Sequence, residues 1–417
     1  MISAYACEPN RGAEPGVGWN IVRELSHHHE LWVLTRADNQ AAIEAFEGEW
    51  AEKVHWHYVD PPSWVTRWKH GTRILRLFYV IWQRSALNEA RKIAEEVEFD
   101  IVHHLTFGTY LVPSLLGSLG VPLVIGPVGG GETSPPLLKN SYSWPGKLSE
   151  FGRDFMRSLV QMWPPFRRRL IDGSVVLAAT EQTRAVLQIL GLKDVKLVPQ
   201  SGIGDDEVDA FVSDHPIVSK PPMLPDEPLK LVSASRLIHW KAIDLAIEAI
   251  ALVKKQGIKV QLRVLQNGRE KARLEQLVGD LGLKDEVSFE GLLPTLEDVY
   301  QAISESDGLI HPALHEVFGQ ACVESLALGV PVICIDWCGP GMIVNEKTGF
   351  KVTPGDREAT LEELAEAIIA LRASRVSGED FATACRARAL ESFHWKRITD
   401  EILASYLEAV EKRQSRN

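Results

Sequence analysis

Short apolar runs alternate with amphipathic stretches along nearly the whole chain, and they fall into two sets. The first set is Ile2–Ala6, Glu30–Thr35, Lys53–Val59, Ile101–Leu105, Pro122–Gly126 and Gly173–Thr180. The second is Leu229–Ser235, Val260–Leu265, Val287–Gly291, Gly308–His311 and Val330–Ile335. Runs of this length are too short for helices, and between helical-period segments they read as strands of βαβ units, which build parallel sheets. The chain has 417 residues, more than one hydrophobic core usually supports, so two α/β domains are expected.

Each set reads as a Rossmann-like domain. The junction lies in Lys196-Leu-Val-Pro-Gln-Ser-Gly-Ile-Gly204 and the Pro- and acid-rich stretch from Asp214 to Pro228, punctuation of the kind that joins domains. Residues 1–200 and 201–395 are the expected halves. The chain begins almost inside its first strand, so that strand is short or further residues precede it. A net charge of −11 provides no overall positive field for a nucleic-acid backbone and argues against a general nucleic-acid binder. The five cysteines, Cys7, Cys322, Cys334, Cys338 and Cys385, have no zinc-ligand spacing and read as reduced, buried thiols of a cytoplasmic protein. The N-terminus lacks signal-peptide order, and no uncharged run reaches the length of a membrane span.

The densest chemical signal is Glu316-Val-Phe-Gly-Gln-Ala-Cys-Val-Glu324. The first carboxylate would precede a helix and the second stand about two turns further on, so both could reach one extended ligand. Phe318-Gly319 would place unpaired N–H groups at the helix N-terminus, where negative charge is stabilised. This motif resembles the E-x7-E signature of the retaining glycosyltransferases of family 4, also called group 1. The resemblance implies the GT-B fold, with parallel sheets of two Rossmann-like domains facing a central cleft and a final helix, residues 396–417, packing back on the first domain.

It also implies roles. Glu316 would contact the donor sugar and Glu324 the nucleotide ribose, with Phe318 and Gly319 in the donor loop. Arg236 and Lys241 follow the strand Leu229–Ser235 and resemble the Arg and Lys that hold the nucleotide diphosphate in the family's G-R-L-x-x-x-K-G pattern. Here Ser235 and Ala242 replace the two glycines. Gly12-Ala-Glu-Pro-Gly-Val-Gly18 follows the first strand like the family's first glycine loop, which singles out Gly16 and Gly18, with Glu14 less strongly marked; a plain structural turn is the rival reading. A second cluster, Ile125-Gly-Pro-Val-Gly-Gly-Gly-Glu132, would line the acceptor side. His103 and His104 alternate across their strand, so only one can face a ligand. His104, nearer the strand's carboxyl end, is the catalytic candidate.

Residues 61–88 contain Arg67, Lys69, Arg73, Arg76 and Arg84 without an acid, interleaved with Trp64, Trp68, Phe78, Tyr79 and Trp82. A second such region holds Trp144, Lys147, Arg153, Arg157, Trp163 and Arg167-Arg-Arg169. Two readings stand: an anionic membrane surface, or core aromatics beside a solvated basic face.

The resemblance therefore implies a retaining transferase that moves a sugar from a nucleotide-diphosphate donor to a carbohydrate or lipid-linked acceptor, in cell-surface polysaccharide or glycolipid synthesis. No cofactor and no metal is expected. The protein would reside in the cytoplasm, with peripheral contact at the inner membrane face. The rivals are a phosphorylase or epimerase on the same fold, and a noncatalytic sugar-nucleotide or glycan-binding subunit.

Overall fold

The computed structural model describes residues 1–62, 75–139, 142, 144–162, 174–204 and 220–415. The chain divides into two compact units: Met1–Gly131, Met156–Gly202 and Trp395–Asn417 form the first, and Glu132–Phe155 with Ile203–His394 the second. Residues 132–155 thus belong with the second unit, although they precede position 200. The junction stretch 205–219 lies outside the described residues.

The first unit is built on a parallel sheet of β1 (Ile2–Ser3), β2 (Trp32–Arg36), β3 (His55–Val59), β4 (Val102–His104), β5 (Leu123–Val128), β6 (Ser174–Ala178) and β7 (Lys196–Leu197), in the order β3-β2-β1-β4-β5-β6-β7. The second is built on β8 (Leu229–Ser233), β9 (Val260–Val264), β10 (Val287–Phe289), β11 (Gly308–His311), β12 (Val332–Ile335) and β13 (Gly349–Val352), in the order β10-β9-β8-β11-β12-β13. β5, β11 and β12 are buried along their whole length, which is why they read as continuous apolar runs: both faces of a parallel sheet are covered. All eleven strands expected from the sequence are found. β7 and β13 escape that pattern because they are edge strands, short or half-polar.

Strand order turns this architecture into a prediction of where ligands bind. In an open α/β sheet they sit beyond the carboxyl ends of the strands, where the order reverses direction. In the first unit that point lies between β1 and β4, and in the second between β8 and β11.

The helix Trp395–Gln414 belongs to the first unit. Trp395, Ile398, Ile402, Tyr406 and Ala409, one face at helical spacing, pack into the same core as Val17, Ile21, Val22 and Leu25 of the helix Ala13–Ser26. The aromatic residues of the 61–88 stretch that are described are core: Tyr79 and Trp82 are fully buried, and the Trp82 indole donates to the Val59 carbonyl at 2.8 Å. Trp64, Arg67, Trp68, Lys69 and Arg73 lie outside the described residues. Phe78, Tyr79 and Trp82 therefore cannot serve as surface anchors, a correction to the membrane reading of that stretch.

Candidate active site

The switch point of the second unit carries the donor-motif residues. β8 ends at Ser233 and leads through Ser235 and Arg236 into a short turn, His239–Lys241. Ala242 then adopts φ 49° and ψ 39° before the helix Ile243–Lys255 begins. This left-handed conformation is one glycine adopts without strain. The substitution of alanine at this position changes the residue but keeps a glycine-like backbone. The turn sends Lys241 back over the sheet edge, where its ammonium forms an ion pair with the Glu316 carboxylate. The Trp240 carbonyl accepts the Leu314 N–H at 2.8 Å and ties the loops after β8 and β11 together.

Burial pushes the Lys241 ammonium down to about 8; the buried Cys322 beside it acts upward and Arg236 acts downward. The Glu316 carboxylate in contact favours the charged form, so Lys241 is a cation at neutral pH. Arg236 is exposed at the same sheet edge. Two cations at one switch point suit a diphosphate.

Glu316 lies on the loop between β11 and the helix Gln320–Ala327, and its backbone carbonyl accepts the Gly339 N–H at 3.1 Å. Gly319, at φ 100°, is the residue from which the helix starts. The separation of Glu316 from Glu324 is therefore set by loop geometry, not by helical azimuth alone. The Phe318 side chain turns inward, 5.8 Å edge-on to Phe393, so what this residue can offer a ligand is its backbone. Glu324 stands half-buried in the helix.

His311, the last residue of β11, was not singled out in the sequence. It is buried, with Nδ1 3.1 Å from the Ser235 hydroxyl and Nε2 3.5 Å from Glu316. These partners assign the tautomer: the Ser235 hydroxyl donates to Nδ1, and Nε2–H faces the carboxylate. Burial, and secondarily Lys241, hold His311 well below the ordinary histidine range, so it is neutral. A histidine beside a proline gave no signal of its own. The signal was Ser235, a hydroxyl where the family pattern has glycine.

In the first unit, His103 and His104 are both buried at the carboxyl end of β4. His103 is occupied on both sides: its ring donates to the Gly126 carbonyl at 2.7 Å and accepts from the Tyr406 hydroxyl at 2.8 Å. His104 meets the Tyr79 hydroxyl at 2.9 Å, and Tyr79 stacks on Phe107 at 3.7 Å. Burial holds each imidazole down to about 4, with His103 adding to the effect on His104. His104 is thus a neutral hydrogen-bonding group.

Gly16 and Gly18 lie inside the first helix, not in an open loop. A Cβ at Gly16 would stand 2.1 Å from the Arg11 carbonyl, and one at Gly18 2.2 Å from that of Ala6. Packing of helix against backbone accounts for both. Glu14 accepts the Gly108 N–H at 2.9 Å, pinning the loop after β4, and burial raises its pKa against the pull of the backbone amides of Gly108 and Phe107. The second glycine cluster packs closely too, with Gly131 N–H donating to the Thr183 hydroxyl at 3.0 Å. Among the described residues no group of three or more His, Cys, Asp or Glu is arranged to hold a metal ion.

Known proteins resemble the chain on two levels. Residues 215–380 match the family model described as glycosyl transferases group 1. The putative colanic acid biosynthesis glycosyltransferase WcaL of Salmonella typhimurium is 27% identical over 254 residues, which cover 59% of this chain and 59% of that protein. The amylovoran biosynthesis glycosyltransferase AmsK of Erwinia amylovora is 28% identical over 189 residues, 44% of this chain and 45% of that one. The chain thus aligns with about half the length of these curated relatives. Among solved structures, Anabaena Alr3699/HepE in complex with UDP has a TM-score of 0.59 at 16% identity, covering 98% of each chain. Sucrose-phosphate synthase from Thermosynechococcus elongatus has a TM-score of 0.61 at 17% identity, also covering 98% of each. The chain therefore has the GT-B fold and carries, across residues 215–380, the sequence pattern of the glycosyl transferases group 1.

Proposed function

We propose that the protein is a retaining glycosyltransferase of family 4 that transfers a sugar from a nucleoside diphosphate to a carbohydrate or lipid-linked acceptor in cell-surface polysaccharide or glycolipid synthesis. The observation that carries this reading is the meeting of Lys241, Glu316 and His311, with Arg236 on the same edge, at the β8–β11 switch point. The relatives named for colanic acid and amylovoran biosynthesis support the substrate class.

In this reading Arg236 and Lys241 hold the diphosphate, whose negative charge grows as the sugar–oxygen bond breaks. Preorganised cations stabilise that charge more in the transition state than in the ground state. Glu316 contacts the donor sugar, Glu324 the ribose, and the backbone at Phe318 and Gly319 borders the diphosphate. The ion pair of Glu316 with Lys241 opens as the diphosphate takes over the lysine, and His311 keeps the carboxylate oriented meanwhile. His104, neutral and buried, acts as a hydrogen-bonding group toward the transferring sugar. Gly16 and Gly18 act by letting the first helix seat closely beside the β1 loop.

Two cations at the diphosphate support a reaction without a metal ion or other cofactor. Activity that persists in excess chelator would agree with that; activity restored only by added divalent metal would refute it. The five cysteines are buried and none is joined in a disulfide, which supports a reducing, cytoplasmic location. Among the described residues no helix is long and apolar enough to cross a membrane.

The direct test is turnover of a panel of sugar nucleotides by the intact protein and by Glu316→Gln. A charge-assisted contact to the reacting sugar is worth about 1.5 to 3 kcal/mol, so Glu316→Gln should lose roughly ten- to a hundredfold in rate. Undiminished turnover by the variant would remove Glu316 from the site.

A further inference from the structure

The segment Glu132–Phe155 is distant in sequence from the rest of the second unit and yet is part of it. Leu138 and Tyr142 enter that unit's core, and Lys139 pairs with Asp154 at 2.8 Å, which closes the segment on itself. Trp337, on the loop after β12, donates its indole N–H to the Thr133 carbonyl. The helical part of the segment begins at Trp144. Gly146, Glu150 and Arg153 follow at the i, i+4, i+7 spacing of a single helix face.

That face meets the turn and the loop that carry the donor-motif residues. His239, buried, is the first residue of the turn that ends in Lys241. Its Nδ1 lies 3.0 Å from the Arg269 guanidinium, which can only donate, so Nε2 carries the proton. Nε2–H faces the buried Glu150 carboxylate at 3.5 Å. A Cβ at Gly146 would stand 3.1 Å from the His239 ring, so glycine lets the helix seat this closely. Glu150 also pairs with Arg153 at 3.1 Å. Burial opposes the charge on Glu150, but His239 and Arg153 outweigh it and hold the carboxyl below its usual range. Arg153 reaches further: its guanidinium donates to His315 Nδ1 at 3.2 Å and stands over the Trp240 ring, 5.0 Å from the centroid.

A buried ion pair seldom stabilises a fold more than apolar packing of the same volume would. What distinguishes this one is its place. His239 and Trp240, which it meets, directly precede Lys241, and His315 directly precedes Glu316. We propose that Glu150 and Arg153 are positioning residues for the Lys241–Glu316 pair. Glu150 fixes the turn that carries Lys241 through the His239 ring, and Arg153 fixes the loop that carries Glu316 through His315. Their part in the reaction rests on the transferase reading, in which that pair receives the donor diphosphate; the positioning itself does not.

Two measurements on the intact protein test this with two variants. Glu150→Gln keeps the side chain's size and removes its charge. Arg153→Lys keeps the charge and loses the planar fork that serves Glu150, Trp240 and His315 together. The first measurement, without nucleotide, is the rate at which acetic anhydride acetylates Lys241, read by mass spectrometry. Each variant should raise that rate severalfold. Lys220, whose ammonium burial also pushes down to about 8, donates to the Ser306 carbonyl before β11 begins; it reports general loosening of the unit and should react as in the wild type. The second measurement is calorimetric titration of UDP and GDP. Glu150→Gln should weaken binding severalfold in the wild-type background and change nothing in Lys241→Ala, whereas a residue that only supports the fold would cost the same in both. Unchanged acetylation of Lys241 in both variants overturns the proposal. So does a rise that Lys220 shares, and so does equal weakening in the two backgrounds. Faster acetylation of Lys241 alone, in a protein that binds neither nucleotide, would uphold the positioning and overturn the transferase reading instead.

Discussion

Ser235 shows how a departure from a family pattern can carry information. Glycine gives way to a hydroxyl, and the hydroxyl is used: it fixes the His311 ring 3.1 Å away, whose far nitrogen faces Glu316. Three side chains, from the end of β11 and from the loops after β8 and β11, are thereby held in register before any ligand arrives, the preorganisation that catalytic geometry requires. Lys241 pairs with the same carboxylate oxygen that His311 faces. Its lowered pKa, about 8, gives the site a pH signature. The ammonium is charged below that value and neutral above it, so diphosphate affinity should hold from pH 6 to 7.5 and fall as the pH rises through 8 toward 9.5. Lys241→Arg should stay flat over the same range, since a guanidinium does not titrate there. Titration of UDP or GDP against pH reads the difference, and a flat wild-type profile would mean that Lys241 does not touch the diphosphate.

At the scale of elements, the helix Ala13–Ser26 illustrates a glycine whose purpose the sequence does not disclose. Gly18 reads equally well as a ligand-binding turn and as a packing contact, because both demand a missing Cβ. The structure supports the packing reading: a Cβ there would stand 2.2 Å from the Ala6 carbonyl and 3.0 Å from Thr106. Gly18→Ala should therefore destabilise the first unit by about 1 to 3 kcal/mol, the usual cost of overpacking, as read by a lower denaturant midpoint. An unchanged midpoint would return Gly18 to the ligand-binding reading. The strands of both units were legible because buried parallel strands are continuous apolar runs, and the motif residues Arg236, Lys241 and Glu316 were legible because their types and spacing are unusual. The inward polar face of the helix Trp144–Met162 was not. Periodicity locates an apolar face, but only the packed structure tells which side of a helix is turned to the protein, and here the polar side is. The aromatic residues Phe78, Tyr79 and Trp82 failed as surface candidates for the same reason, being core.

At the scale of the whole chain, the first unit is assembled from three segments, and the last of them, Trp395–Asn417, supplies part of its core. His103 seals that closure by bridging the Gly126 carbonyl and the Tyr406 hydroxyl. Because burial holds His103 and His104 down to about 4 in the folded state, against about 6.5 unfolded, the unfolded chain takes up protons first as the pH falls. Stability is full above pH 6.5 and is lost between 6.5 and 4, by an amount on the order of 3 kcal/mol for each imidazole. The denaturant midpoint of the first unit should therefore drop between pH 7 and pH 5, and His103→Gln should flatten that drop; a midpoint equal at both values would mean these histidines are not buried neutral. The two units thus differ in what their central strands carry, a pair of buried, neutral histidines in one and a charged, ligand-ready edge in the other. That edge is the central claim, and the measurement that tests it most directly is calorimetric titration of UDP and GDP into the wild type, Arg236→Ala and Lys241→Ala. At least one of the two nucleotides should bind the wild type, and each substitution should weaken that binding roughly ten- to a hundredfold, the value of one charge-assisted hydrogen bond. Equal affinities in all three proteins would contradict the account.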